Sequence, residues 1–292
     1  MHPDGTAQGR EVMSNSSGAL PSNEQAPVSP AVARSSGRRR MRSLGNIGVF
    51  VAVYAGIILL WQITVPLADI PKYVLPTPTQ IVAALWSGFA NEGLGFDLYV
   101  TLSEMLAGLA IAIVLGVSLA ALIEEFPLVR RLVYPALVVF QSIPKMAVAP
   151  LILIWVGLGI ESKIVLSALV AFFPLLVNSM SGFASYERDA ADLFKTLHAS
   201  RFEVFLRLKL RAFLPMFFSG LKVGFVFALL GAIVGEFLAS SAGLGHAIIQ
   251  MQFQLNVAGV FAVLVVLAVI GTVGERLISL AEARFTRWRG RG

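Results

Sequence analysis

Lys145 is the residue in this sequence most in need of a partner. It falls inside a long apolar run, where a lysine at a helix centre costs about 2.5–3.5 kcal/mol on the insertion scale. Gln141 lies one helical turn before it, on a similar face. A cation and an amide so placed suit recognition of an anionic or carbonyl-bearing solute along a path through a helix bundle. They equally suit an ion pair or carbonyl contact that fixes helix packing. Glu236, near the end of another apolar run, is the candidate partner of Lys145 or a gate residue of the same path. Glu104 is the other carboxylate at comparable depth, and two such residues fall short of the relay that a proton-coupled carrier needs. The histidines His2, His198 and His246 are scattered and cysteine is absent, so no metal site, disulfide framework or cysteine nucleophile is suggested. No G-x-x-x-x-G-K-S/T run occurs, so the chain does not itself bind ATP by a P-loop. No clustered His, Asp or Glu at membrane depth points to an enzyme, and no cofactor is expected. These residues offer passage of a solute rather than catalysis.

The elements that would position them are apolar helices. Of 292 residues, 57% are hydrophobic and 14% charged, whereas a water-soluble domain carries roughly a quarter charged. A helix needs about 20 residues to cross roughly 30 Å of hydrocarbon. Six segments qualify, at 46–67, 99–123, 132–156, 164–183, 213–239 and 257–274. Lipid forces backbone groups to be satisfied internally, and nothing alternates as barrel strands do. The expected class is therefore all-α, a polytopic membrane protein of about six transmembrane helices spanning 46–285. Residues 1–45 are rich in Ser, Pro, Gly and Ala and read as a disordered basic tail, with a short basic tail at 286–292.

Charge sets the expected orientation. With the N-terminus inside, all but Lys72, Lys145, Lys163 and Lys222 of the 23 Lys and Arg fall in inside segments. That asymmetry places both termini in the cytoplasm. The net charge of +6 is then topological, facing membrane lipid headgroups rather than nucleic acid. On the outer side, Leu75-Pro76-Thr77-Pro78 leads into a short helix expected over 79–86 near the membrane surface. The uncharged stretch 240–256, with Gly243, Gly245 and His246, is expected to pack on the outer mouth of the bundle.

The longest inside connection, 184–212, reads as a helix–turn–helix. Ala190, Leu193, Phe194 and Leu197 recur at helical spacing. Ser200 and Glu203 then form an S-x-x-E capping box that opens a second helix. Two uses stand side by side from the pattern: a hairpin lying along the inner leaflet, or a docking element for a soluble partner. In the fifth span, Gly220 and Gly224 form a G-x-x-x-G spacing that permits close helix approach, within the subunit or between copies.

The run Asp192-Leu193-Phe194, then His198-Ala199-Ser200-Arg201, Leu214-Pro215 and Ser219-Gly220-Leu221-Lys222 resembles the EAA loop of bacterial ABC importer permeases. Other motifs agree in order: Leu75-Pro76-Thr77-Pro78, Gln141-Ser142-Ile143-Pro144-Lys145 with Ala149-Pro150-Leu151, and Gly235-Glu236-Phe237 followed by Gly243-Leu244-Gly245. The resemblance covers residues 46–285 and points to the nitrate, sulfonate, taurine and pyrimidine-precursor branch, most of all to its pyrimidine-precursor and flavin members. It implies a type I ABC importer permease fold in a bacterial inner membrane. The implied assembly is a homodimer with a separate ABC ATPase subunit, which binds the ATP, and an extracytoplasmic solute-binding protein. It assigns the coupling role to Asp192, Leu193, Phe194, Leu197, His198, Ala199, Ser200, Arg201 and Glu203. The departures are Asp192 for the family's Glu, Leu193 and Phe194 for its two alanines, and His198 for its turn glycine. Either the turn is built differently, or His198 touches the ATPase. A self-powered secondary transporter is the alternative.

Overall fold

The structure, a computed structural model, describes residues 36–286. The expected tail residues 1–35 and 287–292 lie outside the described residues. The described elements are α-helices joined by short turns: α1 Ser36–Leu67, α2 Pro78–Asn91, α3 Leu94–Glu125, α4 Pro127–Ser142 and α5 Ala149–Val156. They continue with α6 Ile160–Ala184, α7 Arg188–Thr196, α8 Arg201–Val204, α9 Leu210–Ala239, α10 Leu244–Phe253 and α11 Val257–Phe285. Two units divide between Gly56 and Ile57, inside α1. Of the first, only helical backbone from Ser36 onward is described.

Among the described residues, four continuous helices are long and apolar enough to cross a bilayer: α3, α6, the stretch Phe202–Ala239 that contains α9, and α11. The expected span at 132–156 is a bent pair rather than one straight helix, α4 and the stretch Lys145–Val156, meeting at 87°. Proline causes the break. Ile143 precedes Pro144, and a residue in that position is pushed out of the helical region; Ile143 sits at φ −76°, ψ 127° and Pro144 at φ −62°, ψ 104°. In α1 the described apolar stretch is Ala52–Leu67, shorter than a full span. The helix itself begins at Ser36, ahead of the expected start at 46.

The core is α6 held between α3 and α9, the two most extensive helix contacts among the described residues. In lipid, packing rather than the hydrophobic effect drives such association, so small residues mark the contacts. Ser167 of α6 shows how close they are. Its hydroxyl donates to the carbonyl of Ala228 at 3.0 Å and faces that of Met105 at 3.5 Å. A Cβ on Gly108 would lie 2.5 Å from the Ser167 hydroxyl, and one on Gly231 would lie 2.7 Å from the Ser167 Cα. The Gly220–Gly224 pair also faces α6, against Asn178 and Leu175, so that spacing serves packing within the subunit.

The remaining helices cover the two ends. α2 begins after Pro76-Thr77 as expected but runs on to Asn91, packing on α11. Its start is tied to α1 through Gln62, whose side chain meets both the amide and the hydroxyl of Thr79 at 3.2 Å. The expected packing segment at 240–256 is α10, which buries Leu244, Gly245, Ala247, Ile248 and Met251 across one end of the bundle.

Replacing Gly231 by Ala brings a methyl against backbone that has no flexible end to move. Gly231→Ala is expected to destabilise the detergent-solubilised protein by about 1–3 kcal/mol, the usual range for overpacking. Gly271→Ala, where nothing lies within 4 Å, leaves the melting temperature unchanged. Equal melting temperatures for the two variants would contradict this picture of the core.

Candidate functional site

The break between α4 and α5 carries the first candidate residues. Helix ends expose carbonyls, and irregular backbone at membrane depth is tolerated only where protein or a wet cavity meets it. Lys145 uses one of them. Its Nζ donates to the Gln141 carbonyl at 3.3 Å and lies 4.7 Å from the centre of the Phe173 ring, a cation–π contact. Phe172 stands edge-on to Phe173 at 5.1 Å between centroids. Lys145 is half-buried, while Gln141 lines a cavity of about 290 Å³ with Tyr134, Val177 and Ser181. Gln141 and Lys145 are thus brought together.

Glu236 lies elsewhere. It is 1% exposed, and its carboxylate accepts from Thr101 Oγ1 at 2.6 Å and from the Gly245 amide at 2.5 Å. The ion pair with Lys145 expected as one option is not formed. Glu236 instead seats the N-terminus of α10, where free amides and the helix dipole favour a carboxylate. Neighbouring side chains repeat the pattern. The Leu244 amide donates to Thr101 Oγ1 at 2.8 Å, and the Gly243 amide to Asp97 Oδ1 at 2.7 Å. Close approach requires glycine here: Gly243 has φ +109°, and a Cβ on it would lie 2.4 Å from the Glu236 carboxyl. Glu104 of α3 faces the Glu236 carboxylate in the same buried cluster, within electrostatic reach of Lys163. The Lys163 ammonium donates to the carbonyls of Leu158 at 2.7 Å and Gly159 at 3.0 Å.

This polar cluster was only partly foreseen. Glu104 and Glu236 stood out as carboxylates in apolar helices, and the glycines as a motif. Thr101, Asp97 and Lys163 carried no signal, because a threonine in a span and charges at span borders are common.

The hairpin forms the second site, at the end of the bundle opposite α10 in chain order along α9. α7 ends in a left-handed turn: His198 has φ +54°, and the Ala199 amide donates to the Phe194 carbonyl at 3.0 Å. That is the hydrogen bond by which glycine-ended helices close. The turn is therefore built as a glycine would build it, at a cost of about 1 kcal/mol for the histidine Cβ. The capping box follows as expected. The Glu203 carboxylate accepts from the Ser200 amide at 2.9 Å and hydroxyl at 3.0 Å, while the Glu203 amide donates to Ser200 Oγ at 3.3 Å. Arg201 opens α8, and Ala199 is half-buried in the turn. Asp192 and His198 are exposed, as are Leu193 and Leu197, while Phe194 turns inward. Phe194 helps line a cavity of about 740 Å³ with Tyr186, Arg207, Arg211, Pro215 and Met216. A single π-helical turn, Phe205–Lys209, joins α8 to α9.

An all-α bundle with a broken span, a sealed polar cluster at one end and a capped hairpin at the other is the build of a transport permease. Residues 112–287 match the family described as the binding-protein-dependent transport system inner membrane component, and the chain belongs to that family. It is 37% identical to the formylaminopyrimidine transport permease protein ThiX of Halalkalibacterium halodurans, across 80% of this chain and 92% of that one. It is 30% identical to the riboflavin transport system permease protein RibX of Chloroflexus aurantiacus, across 80% and 87%. The fold resembles that of the MetNI methionine ABC transporter in inward-facing conformations, with a TM-score of 0.57 at 18% identity over 68% of this chain and 96% of that one. The protein is thus an inner-membrane, multi-pass permease subunit of an ABC importer, not an enzyme. Family membership sets the self-powered carrier aside.

Thr101→Val removes both a donor to Glu236 and the acceptor of the Leu244 amide. Each buried group left unsatisfied costs about 1–3 kcal/mol. Amide hydrogen exchange at 243–248 is expected to accelerate by tenfold or more, on the order of 1.4 kcal/mol of local stability, while exchange within α6 stays as it was. Unchanged protection of the α10 start would show that the cluster does not hold it.

Proposed function

We propose that two copies of this chain form the membrane pathway of an importer for a small nitrogen heteroaromatic solute of the formylaminopyrimidine kind. The observation that carries the substrate class is the 37% identity to the formylaminopyrimidine permease over nearly all of that protein. The site is compatible with it. A lysine held on an aromatic face at a broken helix offers a cation and a ring together, which suits a planar solute bearing carbonyl oxygens. Flavin transport is the second reading, favoured by the 30% identity to the riboflavin permease. Sulfonate and taurine relatives match at 27%.

In this reading the hairpin 184–212 faces the cytoplasm, as do both termini, and docks the ATPase. Its exposed apolar residues Leu193 and Leu197 (59% and 69% exposed) enter the partner. Asp192, Phe194, His198, Ala199, Ser200, Arg201 and Glu203 shape or flank that surface. α10 closes the outer side, where the solute-binding protein delivers cargo, and Glu236 acts as a latch on that gate rather than a contact for solute. Gln141 and Lys145 line the path. The domain limits of this reading are a basic tail at 1–45, whose last residues already belong to α1, the permease at 46–285 and a basic tail at 286–292. ATP closing the ATPase dimer then drives a rigid-body switch between inward and outward states.

The test is purification with the native ATPase and binding protein, followed by uptake in vesicles. Leu197→Asp is expected to weaken ATPase co-purification by about tenfold or more, as for a buried apolar anchor, with the permease still folded. Lys145→Met is expected to lower uptake without loss of expression. Uptake of a labelled aminopyrimidine should be competed by the unlabelled compound and not by taurine. Competition by taurine alone would overturn the substrate class, and ATPase retention by Leu197→Asp would overturn the docking assignment.

A further inference from the structure

The hairpin must pass its motion to the spans, and its covalent link to α9 is a single π-helical turn. Such turns carry one residue more than an α-turn and recur as single-turn bulges at functional sites. Two side-chain contacts hold this one in place. The first is aromatic: Phe205 of the π-turn stacks on Phe183 of α6 at 5.6 Å, and Phe183 stacks on Phe213 of α9 at 4.3 Å. The second is ionic. Lys209, the last residue of the π-turn, pairs through its ammonium with Glu125 at the end of α3.

Lys209 is placed between three elements. Its Nζ touches Glu125 and lies 5.5 Å from the centre of the Tyr186 ring, in the link from α6 to α7. Its side chain is 15% exposed and that of Glu125 27%, so water screens the pair less than a surface pair. The neighbouring Glu124 is engaged separately, with Arg130 of α4 at 3.6 Å. The acidic end of α3 thus divides its charges, one toward the bent span and one toward the hairpin. Stacked rings resist compression but slide past one another. The ion pair ties the α9 end of the joint, Lys209, to the end of α3.

We infer that Lys209 and Glu125 form the clamp that transmits hairpin displacement to α3, making Lys209 a positioning residue for transport rather than a docking or solute-binding one. This rests on the hairpin's being the element that the ATPase moves. With the clamp intact, α3 follows the hairpin and, through the close α3–α6–α9 packing, the far end of the bundle follows too. Without it, the start of α9 is no longer held to the end of α3.

The experiment uses the assembled complex with its ATPase and binding protein in vesicles, measuring solute uptake and ATP hydrolysis together. Lys209→Met and Glu125→Gln are each expected to lower solute moved per ATP by about five- to tenfold, the low end of coupling between sites. ATPase binding should stay intact. The exchanged pair Lys209→Glu with Glu125→Lys restores the ratio at least in part. Uptake and hydrolysis falling in equal proportion, or no rescue by the exchange, would overturn the clamp. Absence of any ATPase from the wild-type complex would instead overturn the docking reading.

A second readout does not depend on turnover. The chain has no cysteine, so Thr196→Cys on α7 and Leu122→Cys on α3 can be spin-labelled cleanly. Their separation should hold constant on ATP binding with Lys209 present and change with Lys209→Met. The same change in both backgrounds refutes the clamp.

Discussion

Ser167 sits where three helices come within backbone distance, and the rest of the molecule is arranged around that contact. Its hydroxyl lies between two carbonyls of neighbouring helices, and the glycines opposite leave no room for a side chain. Lipid supplies no apolar driving force between helices, so their hold comes from contact density and a few buried hydrogen bonds. Dense packing of this kind does not deform smoothly. α3, α6 and α9 therefore act as one slab. Both functional ends are attached to the same slab: Thr101, Lys163 and Glu236 at one end, Glu125, Phe183 and Lys209 at the other.

The bent pair α4–α5 is the complement of this rigidity. α5 rests on α6 through Ala149 and Ile152, which meet Leu166 and Val170, while much of its other surface is exposed. At the break, Ile143 and Pro144 leave the helical region, the first because the proline after it disfavours that conformation. Backbone groups freed there are available to a side chain, and Lys145 takes one of them.

The helices were legible because length and apolarity identify a span. The hairpin was legible because capping is local: Ser200 and Glu203 find each other three residues apart whatever surrounds them. His198 shows how far local rules reach. A histidine replaces the glycine expected at the turn, yet the turn keeps its left-handed residue and its closing hydrogen bond. What the sequence could not show was any contact joining distant segments. Lys145 and Glu236 looked like partners because each was an unpaired charge in apolar surroundings. The structure satisfies them separately, one with a carbonyl and a ring, the other with a hydroxyl and an amide. Glu125 and Lys209 lie far apart in the chain, and neither stood out within its own charged neighbourhood.

Glu236 makes the general point about charge in this fold. A carboxylate taken from water needs donors on both oxygens, and a distant lysine is one way to supply a counter-charge. Here the supply is a helix start. That solution demands that α10 begin almost in contact with the carboxylate, which a Cβ at Gly243 or Gly245 would prevent. It also demands a second donor, the Thr101 hydroxyl, which donates to Glu236 while accepting from Leu244. The motif Gly235-Glu236-Phe237 with Gly243-Leu244-Gly245 is therefore one physical object rather than two. A larger residue at either glycine would leave the carboxylate without its amide, and the end of the bundle without its cover.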